Sequence, residues 1–213
     1  DPGVLPDIGG GCPLGRTCRD IQDNGYDEGD GVYTVDPDGY ATGLDPFDVY
    51  CDMETDGGGW TEIAYTGDFT FQQHFSNGDG YRWLGYDFET ELSEEQILAL
   101  QDNSTEGRQT YVGLCNGVIH YYYNDGANYA YSLGFQFLAG ATTYGSASYA
   151  PYDISVVQDG CATNGGEGGS TGLATVFEID SLEVPVIRVA CNDCGDSGEQ
   201  LGSPLSQNPA WLR

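Results

Sequence analysis

The sequence predicts an α+β fold, mainly antiparallel β, with one clear short helix at about residues 93–101. Three observations carry this expectation. The 33 Gly and 9 Pro cut the chain into short runs, which favours strands joined by turns. Asn116-Gly117 sits between two apolar runs, a strong hairpin signal. Only one stretch carries a full helix-start signature.

The elements follow in order. Residues 1–17 read as an extended arm, marked by Pro and by the soft joint Gly9-Gly10-Gly11. From Cys18 the pattern reads as β. Gly31–Val35 is a strand, and Asp36-Pro37-Asp38-Gly39 is a turn with Pro second and Gly fourth, as a type I turn prefers. Phe47–Cys51 and Trp60–Tyr65 are the next strands. Ser93 fits a helix N-cap and Gln96 the third helical position, a capping box. Leu92 before the cap can pack on Ile97, and Glu94 and Glu95 occupy the first turn, where the helix dipole favours acids. Strands are expected at Tyr111–Cys115, Val118–Tyr123, Tyr129–Phe137, Val176–Ile179 and Val184–Ala190, with a turn at Asn124-Asp125-Gly126 and a Gly-rich loop at 164–172.

Composition narrows the function. The formal charge is -28, from 34 acids against 6 bases, all of them Arg. Nucleic acid and anionic membrane surfaces would repel such a chain, so both are excluded as partners. Three causes fit the acids: solubility in a salty medium, bound calcium held by carboxylate and carbonyl oxygens, or screening by divalent ions within an assembly. No apolar stretch approaches a membrane span, so no membrane insertion is expected. The start at Asp1, without a leader pattern, reads as a processed and therefore secreted, extracellular chain.

Seven cysteines lie at Cys12, Cys18, Cys51, Cys115, Cys161, Cys191 and Cys194. A four-thiolate zinc site needs a second Cys-x-x-Cys, which is missing, so disulfides are the better reading. The odd count leaves one thiol free or joined to another chain.

One ordered motif runs through Cys18-Arg19-Asp20-Ile21, Gly31-Val32-Tyr33, Asp36-Pro37-Asp38-Gly39, Val49-Tyr50-Cys51-Asp52-Met53 and Gly57-Gly58-Gly59-Trp60-Thr61. It resembles the N-terminal subdomain of the fibrinogen-like domain, the group of fibrinogen C-terminal globes, ficolins and intelectins. The resemblance implies a Cys18–Cys51 disulfide; the pairing of the other five cysteines stays open. It implies Trp60 as a large buried anchor after three permissive glycines. Beyond residue 65 the chain is similar to shorter bacterial members, and the calcium loop and sugar pocket of the lectin members have no residue-by-residue counterpart. The domain organisation expected is the arm 1–17 and a single fibrinogen-like domain 18–213, with an N-terminal subdomain 18–65 and a divergent β-rich part 66–213.

Several groups are candidate sites. Asp193, Asp196 and Glu199 surround Cys191 and Cys194 and suit calcium, against the plainer reading of a solvated loop beside a structural disulfide. Asp79 and Asp125 lie in calcium-friendly turns that are also common without metal. Tyr121, Tyr123, Tyr149 and Tyr152 belong to an aromatic-rich middle that suits sugar stacking or interfaces, against plain strand packing. Alternation places Tyr129, Tyr131, Leu133, Phe135 and Phe137 on one face, more often a core face. Asn103-Ser104-Thr105 is a glycosylation sequon that matters in a eukaryotic source. His74 and His120 are the only histidines, and no Gly-x-Ser-x-Gly elbow accompanies them, so no catalytic residues are assigned.

The resulting expectation is a secreted, non-enzymatic recognition or adhesion module. Its partner would be a glycan or an extracellular protein, with calcium as its cofactor. The alternative is a structural subunit of an extracellular fibre, sheath or matrix, held as a homo-oligomer or polymer by contacts or disulfides between chains. A hydrolase is the remote alternative.

Overall fold

The structure is a computed structural model, and it describes residues 14–39, 43–64, 71–76, 81–86, 92–114, 134–143, 146–158, 174–192 and 210–213. Cys18–Asp23 is not β but a short helix, α1. Thr17 is its N-cap, with the hydroxyl accepting from the Asp20 N–H at 3.3 Å. Six residues are too few for a helical period to show, and an isolated helix of that length is not stable in water, so docking must hold it. Cys18 and Ile21 provide that docking, both buried.

The strands are β1 (Gly31–Val35), β2 (Phe47–Asp52), β3 (Trp60–Ala64), β4 (Phe71–Ser76), β5 (Tyr81–Tyr86), β6 (Gly107–Leu114), β7 (Gly134–Phe137), β8 (Ile154–Gln158), β9 (Ala174–Ile179), β10 (Val186–Asn192) and β11 (Ala210–Leu212). They form a seven-stranded sheet, ordered β1-β2-β3-β11-β6-β9-β8, and a four-stranded sheet, ordered β4-β5-β10-β7. Every strand pairing among the described residues is antiparallel, apart from a single parallel bridge between Gly15 and Val35. The middle of the large sheet is β11, with three strands on each side. The helix foreseen near 93–101 is α2, Glu94–Gln101. Both bonds of its capping box form: the Gln96 N–H donates to Ser93 Oγ at 3.2 Å, and the Ser93 N–H to Gln96 Oε1 at 2.8 Å.

One core lies between the layers. Ile97 and Leu100 from α2, Ile63, Tyr111 and Phe177 from the large sheet, and Phe135, Phe137 and Val186 from the small sheet all pack in it. Phe135 meets Phe177 edge-on at 5.1 Å and Tyr111 at 6.0 Å, so aromatic rings bridge the two sheets. Gln109 adds a polar link: its Oε1 accepts the Val186 N–H at 2.7 Å in a buried setting. Phe135 and Phe137 lie in this core, as the alternation expected. The turn at 36–39 also forms, with the Gly39 N–H donating to the Asp36 carbonyl at 3.2 Å. Residues 15–17 belong to the packed body as well, since the Asp36 N–H donates to the Gly15 carbonyl at 2.9 Å and Thr17 is buried.

Candidate functional site

The glycine motif brings three elements together. Cys18 and Cys51 are joined, with Cα atoms 5.6 Å apart, so the disulfide ties α1 to β2. Thr61 stands opposite Cys51 in register and accepts the Cys18 N–H on its hydroxyl at 3.2 Å. The last residue of the motif therefore holds the first N–H of the helix that the disulfide anchors. Gly58 and Gly59 have φ of 69° and 75°. A Cβ at Gly58 would fall 2.0 Å from the Met53 carbonyl oxygen, and one at Gly59 would fall 2.8 Å from Arg19 Cδ. Only glycine lets this turn close on α1. Gln22 Nε2 then donates to the Met53 carbonyl at 2.9 Å and seals the contact.

Trp60 is buried, as expected, but in an unexpected place. It lies on the outer face of the large sheet, since Thr61 and Ile63 fill the inner one, and it is not part of the main core. Two guanidinium groups cover it: Arg108 Cζ is 3.9 Å and Arg213 Cζ 4.4 Å from its ring. Arg108 is held by Asp56 at 2.7 Å and lies 4.0 Å from Asp52. Arg213 pairs with Glu106 and donates to the Asp56 carbonyl at 2.7 Å. Asp56 serves both arginines from a left-handed backbone, φ 52°, a conformation that Asp tolerates better than most residues. Asp52 sits beside this cluster. Burial alone would raise its pKa, but N–H bonds from Thr55 and Glu54, the Thr55 hydroxyl and Arg108 outweigh it and hold the carboxyl below the ordinary range.

The same outer face continues toward the β1 edge. Register and alternation line up Val32 on β1, Tyr50 on β2, Glu62 on β3, Trp211 on β11 and Arg108 on β6. Tyr50 and Trp211 meet edge-on at 6.4 Å. This face thus gathers aromatic rings, arginines and carboxylates, with the arginines engaged by Asp56, Glu106 and Trp60.

Of the other residues expected from sequence, the described Tyr149, Tyr152 and Cys191 fall elsewhere. Tyr149 is buried with its ring 5.6 Å from Phe135, and Tyr152 stacks on Phe137 at 4.9 Å, so both pack with the core. Cys191 is in β10, its backbone opposite Arg82. Cys12, Cys115, Cys161, Cys194, Asp79, Asp125, Asp193, Asp196, Glu199, Tyr121 and Tyr123 lie outside the described residues, as does the Asn116-Gly117 hairpin. Among the described residues no three His, Cys, Asp or Glu side chains gather to hold a metal, and no helix is long and apolar enough to cross a membrane. The sequon is used internally: Asn103 Nδ2 donates to the Pro37 and Ala99 carbonyls, both at 2.9 Å, and its Oδ1 accepts from Arg16 at 3.2 Å. Arg108, Arg213 and Trp211 were not anticipated. The one available signal was scarcity, because two of only 6 bases converge on a single ring.

A helix locked to the second strand by Cys18–Cys51, and a glycine elbow leading into Trp60 and Thr61, are the structural form of the segment that resembles a fibrinogen-like domain. The comparisons agree. Fibrinogen C domain-containing protein 1 of Xenopus tropicalis is 40% identical over 87 residues, 35% of this chain and 18% of that protein. Angiopoietin-4 of Mus musculus is 34% identical over 110 residues, 46% of this chain and 21% of that protein. Angiopoietin-2 of Canis lupus familiaris is 28% identical over 136 residues, 59% of this chain and 26% of that protein. The chain thus spans about a quarter or less of the length of these relatives. Residues 9–207 match the model of the fibrillar collagen C-terminal domain, and the chain belongs to that family.

Proposed function

We propose that the chain is a secreted, non-enzymatic recognition or adhesion module that binds a glycan or an extracellular protein surface. The observation that supports it is the likeness to fibrinogen C domain-containing proteins and angiopoietins, together with the Cys18–Cys51 brace that the resemblance implied. Calcium is part of the proposal through the acid-rich sequence segments holding Asp79, Asp125, Asp193, Asp196 and Glu199. A second reading, a structural subunit of an extracellular assembly, is favoured by the family match to a fibrillar collagen domain and by the odd cysteine count. Native mass, with and without reductant and EDTA, separates the two. A monomer or small closed oligomer that is retained on a glycan or protein array supports the module. A polymer that shrinks on one treatment supports the subunit. A monomer that binds nothing on either array, with or without calcium, overturns both.

A further inference from the structure

Val32 and Tyr50 stand directly opposite each other on the outer sheet face, 68% and 41% exposed. The core does not use them, because its residues fill the other face. Thr34 and Asp48 form the next opposed pair, the hydroxyl donating to the carboxylate at 2.7 Å, and Asp48 is exposed. Asp52 and Glu62 share the face on β2 and β3. Its two cations, Arg108 and Arg213, are already engaged with Asp56, Glu106 and Trp60. The face therefore shows an exposed valine and an exposed tyrosine ring beside negative charge, on a chain of net charge -28.

That combination selects among occupants. The field of the chain draws cations and repels a second copy of itself. A neutral glycan gains nothing from that field. An arginine or lysine side chain gains twice, from the carboxylates and from the tyrosine ring, while its methylene stem covers the exposed Val32.

We propose that the Val32–Tyr50 face binds an Arg- and Lys-rich segment of a partner protein. The inference rests on the recognition-module reading and gives its partner a chemistry. The test is titration of the whole chain with a short synthetic peptide of Arg, Lys and Ser, against the same peptide with Glu in place of Arg and Lys. Val32→Lys repels the ligand at a mostly exposed position, and lysine suits an edge strand. Asp48→Asn with Tyr50→Ala removes charge and ring together. Asp27→Asn with Glu28→Gln is the control, exposed acids outside the face. The expected result is about a tenfold loss of affinity for each face variant and less than about twofold for the control. Equal losses in all three, which mark diffuse attraction, overturn the proposal, as does failure of the wild-type chain to bind the peptide. If the peptide fails while a glycan or another protein is still captured, this inference falls and the recognition module stands; if nothing binds, both fall.

Discussion

Arg108 lies over Trp60, its guanidinium carbon 3.9 Å from the ring centroid, and helps bury an outward-facing tryptophan. The tryptophan expected as a buried anchor thus has a lid of charge over its ring. Arg108→Ala should uncover the indole and cost about 1–2 kcal/mol, from lost cation–π contact and packing. Tryptophan emission should shift to the red, and Arg108→Lys should restore little because an ammonium cannot stack. An unshifted spectrum in Arg108→Ala would remove this role.

The Cys18–Cys51 bridge closes a loop with a sequence separation of 33. Replacing both cysteines by Ala should cost about 3–4 kcal/mol from the freed unfolded chain. Thermal melting with and without reductant checks this. The reduced wild type and the double variant should melt together if the bridge acts only as a cross-link.

Gln109 is the polar link between the sheets. Gln109→Leu keeps the volume but leaves the buried Val186 N–H without its acceptor, so the loss should be about 1–3 kcal/mol. Urea unfolding measures it, and a midpoint equal to that of the wild type contradicts the link.

Asp36 and Asp52 should respond to pH with opposite sign. Burial, foremost, and the neighbouring Asp38 push the Asp36 carboxyl above the ordinary range, against the opposing Gly39 N–H. The fold therefore holds that proton more tightly than the unfolded chain does. Its contribution falls as pH rises from the ordinary carboxylate value through the raised one. Asp36→Asn should accordingly be more stable than wild type at neutral pH, with the advantage vanishing in acid. Asp52 is the reverse: its stabilisation is full above the ordinary value and lost as pH falls through the depressed one, so Asp52→Asn should be the weaker protein at neutral pH. Melting curves across acid to neutral pH decide both.

Asn103 should carry no glycan in the folded protein made by eukaryotic cells, because its amide hydrogens are held by Pro37 and Ala99. Peptide mass spectrometry reads the occupancy directly. Full occupancy in well-folded material contradicts this geometry.

The sequence was legible where a signal is local. The capping box at Ser93 and Gln96, the turn at 36–39 and the alternation at Phe135 and Phe137 each depend on a few adjacent residues, and each formed. The Cys18–Cys51 pairing came from a long motif rather than from spacing. α1 was missed because six residues show no period and its stability comes from docking. β11 was missed because three residues after a proline carry no alternation. The outer face was illegible for a different reason. Arg108, Trp60 and Arg213 are far apart in sequence, and only the strand order places them on one ring.

That strand order also sets a timetable. The middle strand, β11, is the last of the described strands in chain order, so until it emerges the large sheet can be no more than two half-sheets, β1-β2-β3 and β6-β9-β8. Each half then shows a naked flank, β3 on one and β6 on the other, ready to pair with any neighbouring chain. Three residues, Ala210, Trp211 and Leu212, zip the halves together and retire both flanks at once. A chain halted before Ala210 therefore carries two open strand flanks that β11 would otherwise cover.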